Sequence, residues 1–250
     1  MSEHLKNRFE TKEQEQFGRN VEIRAHFLRH AAKYEESGGL TEEGRGASRK
    51  FGEEFEPSSK DEKYILKAYS SEIGRSKDTA DAIIESINTE QKGHTRIRLE
   101  LGKLEEEDIR LPNATLNLPY SEYVKSNRQE IKGKTESLSF HGVAQRVADQ
   151  IEHFIKLSKR LKSDSKVDLI SISHLPWISA FIKEAVGQEI EKEDDPTKKQ
   201  ELEKKITNLG YLEGFELVIK RDGGDINLSM KIDNEEFPLT EEIIQRVLKD

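Results

Sequence analysis

Arg29 and His30 stand side by side at the end of an alternating segment, VEIRAHFLRH, and two further basic positions share that kind of placement. Arg75 lies in SSEIGRSKDTA, behind the short apolar run Tyr64 to Tyr69, and His174 closes the stretch DLISISH. Two guanidiniums and two imidazoles suit a tetrahedral oxyanion. A guanidinium presents fixed, forked donors that match phosphate oxygens two at a time. A neutral imidazole can attack phosphorus and carry the phosphoryl group as a covalent intermediate. Neighbouring positive charge pushes a histidine pKa down and keeps the ring neutral near pH 7. The same charge stabilises the transferring oxygens in the transition state. A carboxylic acid is still required to protonate the leaving alkoxide.

These residues can meet only if the elements between them fold in a particular way. Val21, Ile23, Ala25 and Phe27 alternate with polar residues, which predicts a strand. Thr41 is a plausible N-cap for a helix over TEEGRGASRKFGEEF. A second strand is expected from Tyr64 to Tyr69, followed by a helix with Ala80, Ile83, Ile84 and Ile87 on one face. Ile97, Leu99 and Leu101 read as a third strand. Residues 105–136 have prolines, asparagines and no clear period, and are read as a lid insertion.

Val143, Val147, Ile151, Phe154 and Ile155 mark a long amphipathic helix, and Val167, Leu169, Ile170 and Ile172 a buried strand. Trp177, Ile178, Phe181, Ile182 and Ala185 then line one face of another helix. Residues 188–205 are a charged insertion, expected as an exposed helix or loop. Strands Phe215 to Ile219 and Ile226 to Ile232 flank Asp222-Gly223-Gly224 as a hairpin, and a short helix, Thr240 to Leu248, closes the chain.

This order implies an α/β three-layer sandwich. It would have a mostly parallel central sheet, helices on both faces, a C-terminal β-hairpin and an inserted lid. Residues 1–20 read as a polar N-terminal extension and 21–250 as one domain. In an open parallel sheet ligands bind beyond the carboxyl ends of the strands, so residues at three such ends can converge.

With these motifs in place, the chain resembles the histidine phosphatase superfamily, the phosphoglycerate-mutase-like fold, in its larger branch. The family opens with Arg-His-Gly at the end of the first strand. Leu28-Arg29-His30 supplies this, followed by GGLTEEGRGAS, which is similar to the family's Leu-Thr-x-x-Gly segment. Its second motif, a Ser-rich strand end, an arginine and Thr-Ala, is matched by Ser70, Ser71, Arg75, Thr79 and Ala80. Its last motif, Ser-His after a strand, is matched by Ser173 and His174, and TESLSFHGVAQRV resembles the Glu-Ser segment before that strand. Each motif alone is weak; ordered and placed at strand ends they are specific.

The resemblance implies that His30 is the nucleophile that becomes phosphohistidine, with Arg29, Arg75 and His174 completing a phosphate pocket. It places the proton donor shortly after the third strand, which suggests Glu100, with Glu105, Glu106 and Glu107 as rivals. The expected activity is metal-independent, cofactor-free hydrolysis of a phosphomonoester, on a small phosphorylated substrate or a phosphoprotein. A mutase-type phosphotransferase shares the fold. Two departures, Ala31 for the usual glycine and Leu175-Pro176 after His174, leave open a catalytically weak phospho-ligand-binding homologue.

Bulk properties trim the alternatives. The net charge of −8 disfavours a nucleic-acid partner, while arginines in a cleft can still override that sign locally. The absence of cysteine excludes disulfides and thiolate chemistry. No apolar run approaches the roughly 20 residues of a membrane span, and the N-terminus lacks the apolar core of a signal peptide. A cytoplasmic protein without a membrane partner is expected. His26 and His30 have metal-ligand spacing only if helical, and the alternation through Phe27 argues for a strand instead.

Overall fold

The computed structural model describes residues 17–35, 37–60, 64–71, 73–88, 95–97, 118–127, 139–233 and 235–249. Most of the N-terminal extension, the positions of Leu99 and Leu101, and most of the expected lid lie outside them. In chain order the elements are β1 (Val21–Arg29), α1 (Glu42–Glu54), β2 (Tyr64–Ser70), α2 (Gly74–Ser86), β3 (Thr95–Ile97), α3 (Tyr120–Asn127) and α4 (Phe140–Ser158). They continue with β4 (Lys166–Ser173), α5 (Leu175–Glu191), α6 (Pro196–Thr207), β5 (Gly214–Asp222), β6 (Asp225–Ile232), β7 (Glu235–Leu239) and α7 (Glu241–Lys249).

One sheet carries the described strands in the order β3-β2-β4-β1-β5-β6-β7. Strands β3, β2, β4 and β1 are parallel, and β5, β6 and β7 add an antiparallel meander beyond β1. The sheet is mixed and mostly parallel with helices on both faces, as the apolar patterning predicts. Its terminal hairpin gains a third strand, β7, at the edge of the sheet, the position where a strand proline such as Pro238 is tolerated.

Burial follows from the two periodicities. Val21, Ile23, Ala25 and Phe27 project into a core shared with Ile151, Phe154, Phe181, Phe215 and Leu217. Leu28 points to the opposite layer, with Leu66, Ala80, Ile83 and Ile172. Central β4 contributes to both layers and is buried almost throughout, as a parallel strand covered twice should be. Two helices occupy stretches that gave no clear pattern. Pro196 opens α6, Asp195 caps it, and of its twelve residues only Leu202 and Ile206 are buried, so the charged run is mostly solvent-facing. Part of the expected lid folds as α3, whose Tyr123 is fully buried.

Two glycines bring other elements against the end of β1. A Cβ on Gly44 would lie 2.3 Å from the carbonyl oxygen of Ala32, and one on Gly214 would lie 1.7 Å from that of Phe27. Only glycine lets α1 and β5 approach so closely. Farther along the sheet, Asp168 is buried and accepts from Arg24 Nε at 2.9 Å, Tyr64 Oη at 2.8 Å and the Ser58 amide at 2.7 Å. This network ties β1, β2 and β4 together six residues upstream of His174.

Candidate functional site

Strands β2, β4 and β1 lie side by side and point the same way, so their last residues share one edge. Arg29 pairs with Ser173, and Ser70 with Ile172. The ladder extends one step further, with the His30 amide donating to the Ser173 carbonyl at 2.9 Å. Residues remote in sequence, His30, Ser71 and His174, therefore emerge as neighbours. Arg75 joins them from the first turn of α2.

The geometry assigns the state of His30. Its Nδ1 donates to the Ala31 carbonyl at 2.7 Å, while Nε2 accepts from Arg75 Nε at 3.1 Å. A carbonyl can only accept and a guanidinium can only donate, so the ring is neutral with its proton on Nδ1. Burial first, then the charges of Arg75, Arg29 and Lys33, push its pKa down to about 4, against the pull of the Ala31 carbonyl. The His174 ring stands edge-on at 5.2 Å between centroids. Burial and the neighbouring His30, Arg75, Lys33 and Arg29 hold it well below the usual histidine range. Its Nε2 lies 3.2 Å from Ser71 Oγ, and its buried Nδ1 has no hydrogen-bond partner among the described residues.

Arg29 is half-buried and held from the far side. Its Nη1 donates to the Leu209 carbonyl at 2.8 Å, and its guanidinium carbon lies 4.3 Å from the centre of the Tyr211 ring. The helices entering the site, α2 and α5, have no side-chain N-cap bond, whereas α1, α4 and α6 are capped by Thr41, Ser139 and Asp195. Two helix starts without side-chain caps thus join two guanidiniums around the histidine pair. Such a cluster can hold and polarise a tetrahedral anion.

Of the residues singled out by sequence, Arg29, His30, Arg75 and His174 come together, with Ser71 beside them. Thr79 supports the group, accepting from the Ala31 amide at 3.2 Å and donating to the Arg75 carbonyl at 2.7 Å. Glu100, Glu105, Glu106 and Glu107 lie outside the described residues, as does Glu136. Ala31 is not among the non-glycine residues with positive φ, so its methyl group carries no left-handed strain. Leu175 opens α5, and Pro176 occupies a first-turn position that needs no N–H.

His26 lies within β1 against the edge of Phe55, and burial pushes its pKa down to about 4. Its 3.7 Å approach to Glu216 is therefore not an ion pair at neutral pH. His141 pairs with Glu184 at 3.1 Å, and His153 lies beside Phe154. Among the described residues no group of three His, Asp or Glu is placed to hold a metal ion. Nor is any described helix long and apolar enough to cross a membrane.

Sequence reasoning missed Lys33 and Tyr211. Lys33 closes the stretch that also holds Arg29 and His30, and only its field at both histidines reveals it. Tyr211, in the connection between α6 and β5, has no periodic signature at all.

A model of the histidine phosphatase superfamily (branch 1) matches residues 27–200, and the chain belongs to this family. No curated protein matches it in sequence. Among solved structures it is similar to a phosphoglycerate mutase from Bacillus anthracis, at 14% identity and TM-score 0.48 over 95% of this chain and 98% of that one. A mycobacterial glucosyl-3-phosphoglycerate phosphatase aligns at 16% identity and TM-score 0.47, over 85% and 98%. Phosphoserine phosphatase from Entamoeba histolytica aligns at 15% identity and TM-score 0.44, over 83% and 96%.

Proposed function

We propose that the protein is a metal-independent phosphomonoester hydrolase that works through a phosphohistidine on His30. The observation that carries this reading is the state of His30: a neutral ring, protonated on Nδ1, with its Nε2 lone pair directed at a guanidinium. A substrate phosphate bridging Arg29, Arg75 and His174 would take over the Arg75 donors and leave that lone pair facing phosphorus. Attack forms the N–P bond as the ester P–O bond breaks, and the leaving oxygen takes a proton from a carboxylic acid. Glu100 is proposed for that role, with Glu105, Glu106 and Glu107 as rivals. Water then attacks phosphorus, gives its proton to the same carboxylate, and releases inorganic phosphate with His30 restored.

Positive charge from guanidiniums supports the transferring oxygens. A small phosphorylated metabolite or a phosphoprotein is the proposed substrate, and the cytoplasm the proposed compartment. Hydrolysis of p-nitrophenyl phosphate tests the reading. Turnover should survive EDTA, be blocked by orthovanadate and disappear in His30→Ala. Turnover that persists in His30→Ala, or none by the wild-type protein on any phosphomonoester, overturns it.

A further inference from the structure

We propose that Tyr211 is a positioning residue that fixes Arg29 for the anion, through the face of its ring. The inference rests on reading this site as a phosphate pocket. Tyr211 is 46% exposed, yet its surroundings are built to hold it in one place. The Arg29 amide donates to the Glu213 carbonyl at 2.9 Å, and the Leu212 amide to the Arg29 carbonyl at 3.0 Å. The Gly210 amide donates to the Glu213 carboxylate at 2.6 Å. Leu212 adopts φ +62°, a conformation that non-glycine residues rarely take. Gly214 then lets the chain pass against Phe27 where no side chain would fit.

The product of this arrangement is one contact set. The Tyr211 ring lies under the Arg29 guanidinium at 4.3 Å and within 6.0 Å of the His30 ring. Together with the Leu209 carbonyl on Nη1, the ring leaves the guanidinium little freedom. A stacked, pre-aimed arginine loses less rotamer entropy when it binds an oxyanion. Nothing in the core explains the tyrosine, because nearly half of it faces solvent.

The test is calorimetric titration of the full chain with inorganic phosphate and with orthovanadate. Tyr211→Ala and Tyr211→Leu should weaken both by about 3- to 30-fold, the range of a partly desolvated cation–π contact. Tyr211→Phe should restore binding to within about two-fold, because it keeps the ring face. Equal binding by Tyr211→Ala and wild type overturns the inference and leaves the phosphate pocket standing. Equal weakening by Tyr211→Leu and Tyr211→Phe overturns it as well, since the lost hydroxyl would then be the cause. Wild-type protein that binds neither anion sinks the reading of the site, and the inference with it. Thermal melting of each variant separates these outcomes from unfolding, which an exposed ring should not provoke.

Discussion

The Arg75 guanidinium donates its Nε–H to Nε2 of His30 at 3.1 Å, so the lone pair proposed to attack phosphorus is engaged before substrate arrives. The bond keeps the imidazole in the tautomer with Nδ1 protonated, and burial of both residues keeps water from competing. A phosphate dianion offers Arg75 a stronger, charge-assisted partner. Binding would therefore release the nucleophile and recruit the arginine in one exchange.

Arg75→Lys should retain the charge but lose both the fork and the Nε donor. We expect kcat on p-nitrophenyl phosphate to fall about 100-fold, the scale of losing one aligned transition-state donor. Far-ultraviolet circular dichroism should be unchanged. Unaltered kinetics would remove Arg75 from the site.

The pH profile should report His30 directly. Its folded pKa is lowered to about 4, and only the neutral ring has a free lone pair. The acid limb of kcat/KM assigned to the nucleophile should therefore fall near pH 4, with no loss of neutral His30 between pH 5 and 7. An acid limb near pH 6.5 in the wild-type profile, unchanged from one phosphomonoester to another, would contradict this.

Acid should also loosen the fold. His26 and His30 are lowered to about 4 and His174 well below the usual range, whereas the unfolded chain binds protons near 6.5. The unfolded state takes up protons first, so stability present above about pH 6.5 is lost as pH falls toward 4. His26→Gln lies outside the site and should flatten this slope in urea midpoints measured between pH 6.5 and 4.

Asp168 offers a purely structural control. Asp168→Ala would leave the buried Tyr64 hydroxyl and the Ser58 amide without their acceptor and take the carboxylate from half-buried Arg24, costing about 3–5 kcal/mol in urea unfolding. Specific activity per folded molecule should persist, because the network stands apart from the histidine pair. A small stability loss with a large fall in kcat would reverse that assignment.

Strands and most helices were legible in the sequence because their periods are produced by burial itself. Alternation from Val21 to Phe27 and the i, i+3, i+4 set at Ala80, Ile83 and Ile84 correspond to the faces that meet the core. The four clustered basic residues were legible because strand ends in a parallel sheet share an edge. Less regular determinants were hidden. Helix α6 has only two buried residues, too few to make a period, although Asp195-Pro196 is a recognisable start signal. Tyr211 depends on a turn at Leu212 and a close approach at Gly214, which no spacing rule announces. Lys33 matters through its field, which sequence cannot locate.

Strand β4 is wedged between β1 and β2, which do not touch each other in the sheet, and His30 and His174 are 144 positions apart. A nascent chain thus carries two unjoined ribbons until a third, made much later, slides in and zips them. Closing so long a loop is entropically uphill and slow. The anion trap consequently appears all at once, at the end of assembly, and truncated or half-synthesised copies should sequester no phosphate. Added phosphate would protect the finished molecule by mass action without guiding its earlier steps.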